Sequence, residues 1–243
     1  MFIAFLLTVS IAEAKRLPFE TLTATTEVPE KGVIEVRRSI EIAAAPELVV
    51  PYLTHLDTWK SWTAWNETNC AGTVWTYTGT QGEAGASMAW TGKECGKGSM
   101  TVTTLMPGNS GATYDTFFGK NTKDPMKGLI SVTPTATGST VEWRDVMSYG
   151  FPMSLFLSRS KMDTMLGDDF ALGLAGLKVR AEADAAKAAE AARIVAEEAA
   201  KKAAEEAAAK AAEEAAKKAA EEAAAAKKAA DEAAAKPKKK GGK

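Results

Sequence analysis

The sequence predicts an α+β domain followed by a helical tail: a curved antiparallel sheet of about seven strands around one long C-terminal helix, with two short helices after strand one. Three observations predict it. Runs that alternate apolar and polar residues, bounded by Gly, Pro and Asn, recur from Val33 to about Met147. From Met153 the apolar period changes from two to three and four, the spacing of an amphipathic helix. From Val179 onward there is no Trp, Phe, Tyr, Leu, Met, Cys or Thr, and nearly every position is Ala, Glu, Lys, Asp or Arg. Only the part before that shift holds the large apolar residues of a core, and its length suits one domain.

Residues 1–14, MFIAFLLTVSIAEA, contain an apolar run from Phe2 to Ile11 and an A-x-A pattern at Ala12, Glu13 and Ala14, which reads as an export signal. The run is shorter than the roughly 20 residues that span a bilayer. No Lys or Arg precedes it, so a truncated membrane anchor and an apolar helix packed on the domain stay open beside the signal. The first two readings place the protein in the periplasm or at a membrane, and otherwise it is cytoplasmic. Residues 15–32 read as a polar connector.

In GVIEVRRSIEIAA, Ile34, Val36, Ile40 and Ile42 fall on one face, with Arg38 as the exception, and Glu35, Arg37, Ser39 and Glu41 fall on the other. In APELVVPYLTHLDTWKSW, Pro46 suits a first helical turn and Leu48, Val49, Tyr52 and Leu53 make an apolar stripe. Pro51 bends that helix, and Asp57 caps a second short turn. Six strands follow: TVWTYTG, GASMAWTG, GSMTVTTLMP, ATYDTFFG, MKGLISVTPT and STVEWRDVM. PGNSG and TPTATGS serve as hairpin turns in an antiparallel meander. In the last segment Met153, Phe156, Leu157, Met162, Met165, Leu166, Phe170, Leu174 and Leu177 mark the long helix, interrupted near Gly150-Phe151-Pro152 and near Gly167. Laying that helix across the sheet buries both apolar faces.

Residues 179–236 read as one solvated helix, because Ala has the highest helix propensity and pairs such as Glu197 with Lys201 and Glu213 with Lys217 stand at i,i+4. Without a heptad seam of Leu or Ile a coiled coil is not expected, and the segment serves as a spacer of about 85 Å at 1.5 Å per residue. A disordered low-complexity segment is the alternative. Residues 237–243 form a basic disordered end that could touch an anionic surface. The chain carries a net charge of -1, too little to steer it to nucleic acid, and is expected to be a monomer.

Catalytic groups are few. His55 is the single histidine, so no multi-histidine zinc site exists, and its place at the end of the first helix suits bonding to terminal carbonyls. GEAGAS and GKGS lie in hairpins and are turn residues, not phosphate cradles. No cofactor or metal is expected. Tyr114, Asp115, Glu142, Arg144 and Asp145 are the candidate polar groups, and strand alternation puts Asp145 on one face with Val141, Trp143 and Met147. There Asp145 is a perturbed acid, a backbone cap, or simply exposed at the strand end. Cys70 and Cys95 fall near one another across the first hairpin of the meander, which in an exported chain makes a disulfide.

The stretches VRRSIEIAAAPELVVPYLTHLDTWKSWTAW, GEAGASMAWTGKECGKGSMTVT, DPMKGLISVTPTATGSTVEWR and GFPMSLFLSRSKMDTMLGDDFALGLAGLK resemble, in order, the START-like or SRPBCC superfamily and its polyketide cyclase/dehydrase-like group. The resemblance covers about residues 33–178 and implies a helix-grip fold with a cavity between sheet and long helix. Members hold lipids, sterols or polyketides there, and a minority catalyse reactions. By strand and helix phase the cavity is expected to be lined by Met88, Trp90, Met100, Val102, Phe118, Ile130, Trp143, Met147, Met165 and Phe170, with Tyr114 as a polar member. Trp62 and Trp65, with Trp59, either rim the cavity or simply plug the core with their indole N–H groups on loop carbonyls. Binding of a small hydrophobic ligand or lipid is the expected function. A cyclase/dehydratase-type enzyme is the alternative, favoured by a deep cavity with a paired, buried Asp145 or Tyr114. An interaction protein with the tail as its working part would be favoured by a filled interior.

Overall fold

Strand alternation in this chain resolves into a computed structural model that describes residues 23–25, 33–119, 125–148 and 158–234. The readings placed on the signal or anchor, on most of the connector, on Met153, Phe156 and Leu157, on the Gly150-Phe151-Pro152 break and on the basic end lie outside those residues. The chain divides into two units, Met1–Lys187 and Ala188–Lys243.

In the first unit the strands are β1 (Thr23–Thr25), β2 (Val33–Ile42), β3 (Val74–Thr78), β4 (Ser87–Thr91), β5 (Lys97–Leu105), β6 (Gly111–Phe118), β7 (Met126–Thr135) and β8 (Gly138–Ser148). They form one antiparallel sheet in the order β1-β2-β8-β7-β6-β5-β4-β3. The seven expected strands are present. β1 is an addition: three residues of the expected connector pair with β2, Thr23 facing Ser39, and so short a strand leaves no alternation to read. Because β2 pairs with β8, α1 (Pro46–Thr54) and the 3-10 helix Leu56–Ser61 carry the chain across the sheet end to β3, and the meander then returns strand by strand.

The cap of the 3-10 helix is His55, not Asp57: the turn starts two residues earlier, and Thr58 Oγ1 donates to His55 O at 2.7 Å. His55 also ends α1, its N–H reaching Pro51 O at 3.1 Å.

The long helix α2 (Arg159–Ala234) brings Phe170, Leu174 and Leu177 into the same buried cluster as Val36, Ile130 and Trp143. Gly167 does not interrupt it. The guanidinium of Arg38 fills the place of the missing side chain, 1.8 Å from where a Cβ would stand, and pairs with Asp163 of α2 at 3.1 Å. That ion pair explains the one charged residue on the inner face of β2. Packing also runs past Lys178: Ala181 is fully buried, Ala185 packs on the core and Tyr52 donates to Asp184 at 2.6 Å. An Ala at a packing position cannot be told from its neighbours in an Ala-rich segment, so the composition shift marks this end two turns early.

In the second unit α2 is exposed at every described side chain, and its upper part includes Arg193 paired with Glu190 at 2.8 Å and Glu197 at 3.0 Å. Among the described residues no helix is long and apolar enough to cross a membrane.

Candidate functional site

The tight winding of the 3-10 helix and the loop after it turns Trp59, Trp62 and Trp65 toward the interior. Trp59 Nε1 donates to Leu53 O at 3.3 Å and Trp62 Nε1 to Tyr52 O at 3.2 Å, so the corner is tied to α1. Trp59 and Trp65 meet Trp143 of β8 edge-on, with ring centroids 5.4 and 6.0 Å apart, and Phe170 of α2 stacks behind Trp143 at 4.3 Å. A second ring cluster joins Trp75 of β3, Trp90 of β4 and Phe118 of β6 at 6.1 and 5.9 Å.

Both clusters line one cavity of about 230 Å³, together with Met88, Met100, Met126, Thr63, Thr116, Cys95 and Asp145. Lys60 and Glu94 also line it and are exposed, as is about half of Phe118. Five of the six tryptophans therefore share a single surface. The three-tryptophan corner plugs the core and walls the cavity at once.

Of the residues expected in the cavity, Trp65, Met88, Trp90, Met100, Phe118 and Trp143 line it. Trp62, Val102, Ile130 and Phe170 do not: they are buried in the core beside it. Met147 packs with Ile34 and Met162 in a separate cluster, and Met165 is half exposed. Alternation fixes which face a residue takes but not its position along the sheet. α1 lies over β6 and β7, and the open space is left toward β3, β4 and the Trp corner. Trp75, Met126, Thr63 and Thr116 were not among the expected lining residues, and Trp59 was expected only as part of the rim or as a core plug. The signal for Trp75 was available, since alternation in β3 sets Trp75 and Tyr77 on one face, opposite Val74, Thr76 and Thr78.

Tyr114 stands just behind the wall. Its hydroxyl donates to Asp145 Oδ1 at 2.6 Å and accepts a hydrogen bond from Trp143 Nε1. Gly128 lies opposite Tyr114 on β7, and a Cβ there would stand 2.0 Å from the ring, so only glycine lets the ring lie flat and reach Asp145. Asp145 is 1% exposed. Burial pushes its carboxyl up to about 7, although hydrogen bonds from Tyr114 and Trp143 act in the opposite direction. Burial, with the charge of Asp145, raises the Tyr114 hydroxyl well above its ordinary value, which keeps it a neutral donor. Among the described residues Asp145 Oδ2 has no partner, nor do Thr116 Oγ1 and Trp75 Nε1. All three belong to residues that line the cavity.

The other polar candidates face away. Asp115 pairs with Lys127 at 3.6 Å, Glu142 with Arg37 and Arg144 with Glu35 at 2.6 Å, all on the outer face of the sheet. Cys70 and Cys95 are joined, with Cα atoms 5.4 Å apart. Val74 faces Thr91, so four residues further out on each side Cys70 faces Cys95, two residues from the register the sequence suggested.

A comparison with curated proteins finds no significant match. Among solved structures the chain is similar to protein CV1439 from Chromobacterium violaceum, at 18% identity and a TM-score of 0.41 over 61% of this chain and 97% of that one. It is also similar to a protein of unknown function, SA2116, from Staphylococcus aureus, at 12% identity and a TM-score of 0.48 over 65% and 96%. A protein-family profile described as polyketide cyclase/dehydrase and lipid transport matches residues 33–182. The chain belongs to the polyketide cyclase/dehydrase and lipid transport family, a member of the SRPBCC superfamily.

Proposed function

We propose that the protein binds a compact hydrophobic ligand in the cavity between the Trp corner and the sheet. The observation that carries the reading is a cavity walled by six aromatic rings and three methionines, with buried polar atoms among them that have no partner among the described residues. The family description, which includes lipid transport, supports the same class. The volume narrows it. Sites for drug-sized ligands run to about 300–1,000 Å³ and a dry cavity of about 150 Å³ takes benzene, so about 230 Å³ suits one ring with a short side chain better than a long acyl chain. Native mass spectrometry of the protein purified from its source tests this: a bound small molecule of that size is expected, and a long-chain lipid or a chain that stays empty with every apolar probe would overturn it.

A second reading has its own support. A carboxyl brought to about 7, held by Tyr114 and without a partner at Oδ2 among the described residues, could accept a proton from a bound molecule, as a cyclase or dehydratase requires. Such chemistry also needs an acid for the leaving oxygen. The other titratable lining residues, Lys60 and Glu94, are exposed, and this keeps binding ahead of catalysis. The open interior weighs against a domain that serves only as the head of an interaction protein. The Cys70–Cys95 bond supports export to an oxidising compartment, and the exposure of residues 188–232 supports the tail as a spacer.

A further inference from the structure

The cavity wall leaves one electrostatic need unmet. Asp145 Oδ2 is a buried carboxyl oxygen without a partner among the described residues, and Thr116 Oγ1 is a second buried oxygen in the same state. A buried carboxyl gives up its proton when a cation meets it, and among the described residues no cation reaches this one. Among the described residues Lys60 is the one basic member of the lining, and its side chain is 42% exposed and lies 4.0 Å from Glu67. Arg38, the cation buried on the same face of the sheet, is taken by Asp163. Trp143 and five other aromatic side chains line the same cavity, and an aromatic face attracts a cation most strongly where water is excluded.

We propose that the ligand is a compact organic ammonium: a primary amine on one ring or a short apolar chain, its N–H groups on Asp145 Oδ2 and Thr116 Oγ1 and its hydrocarbon among the indoles. This rests on the hydrophobic-ligand reading above and adds the chemistry of the head group. A neutral alcohol of the same shape keeps the apolar contacts and loses the charge pairing. A carboxylate of the same shape meets Asp145 with like charge.

Calorimetric titration of the full chain at neutral pH with phenethylamine, phenethyl alcohol and hydrocinnamate separates these cases. The amine should bind at least about tenfold more tightly than the alcohol, with hydrocinnamate weakest. Asp145→Asn keeps the side-chain volume and removes the charge, so it should bring amine and alcohol together while alcohol binding persists. Equal affinity for amine and alcohol in the native chain, or tightest binding of hydrocinnamate, overturns the ammonium assignment and leaves the cavity reading standing. If none of the three binds, the cavity reading falls and the assignment with it. The comparison in the native chain decides the question even if Asp145→Asn does not fold.

Discussion

Asp145 binds its proton more tightly in the folded chain than in the unfolded one, because burial moves its carboxyl from 3.8 up to about 7. The stability that goes with this proton is complete below the unfolded value and is lost as pH rises through the folded one. Urea unfolding across that range should therefore show the native chain losing on the order of 4 kcal/mol relative to Asp145→Asn between a pH of about 4 and one above about 7. Parallel stability curves for the two proteins would mean that the carboxyl is not desolvated. The inward position of Asp145 was legible from alternation with Val141 and Trp143. Its partner was not, since Tyr114 lies two strands away and β7 between them presents only Gly128. A glycine inside a strand is the sequence trace of such a close approach, and it does not say which ring fills the space.

Period alone located β2–β8 and α2, because each buries one face and so imposes its own spacing on the sequence. How α2 seats against the Trp corner was not visible. Gly176 brings the helix against the backbone of Trp62, where a Cβ would stand 2.4 Å from the carbonyl oxygen. Replacing Gly by Ala within a helix gains up to about 1 kcal/mol in propensity, but overpacking against a fixed backbone atom costs about 1–3 kcal/mol. The clash should win, and Gly176→Ala should lower the unfolding free energy measured in urea by about 1–2 kcal/mol. A stabilised variant would show that the helix can move away from Trp62 without loss. Register was the other limit. The Cys70–Cys95 pairing was reached with an error of two residues, which a diagonal neighbour tolerates, whereas strand phase, which carries no position along the sheet, put Val102 and Ile130 in the cavity lining when they belong to the core.

For the chain as a whole, the boundary in composition near residue 179 and the boundary in packing after Lys187 differ because two turns of Ala-rich helix still serve the domain. The domain is closed at the cavity end by the Cys70–Cys95 bond, with a sequence separation of 25 residues, and Cys95 lines the cavity. Reducing it should cost roughly 3 kcal/mol of stability by releasing the unfolded chain, read as a lower urea midpoint in reductant. An unchanged midpoint would mean that strain offsets the gain. The central claim, that a compact apolar molecule enters among the indoles, is tested most directly by the side-chain N–H signals of the six tryptophans in a nitrogen–proton correlation spectrum, titrated with phenethyl alcohol. Trp59, Trp65, Trp75, Trp90 and Trp143 line the cavity, whereas Trp62 lies outside it with its N–H on Tyr52 O. The account predicts saturable shifts in those five signals, with Trp62 moving least. Shifts that never saturate, or a Trp62 signal that moves as much as the rest, would contradict it.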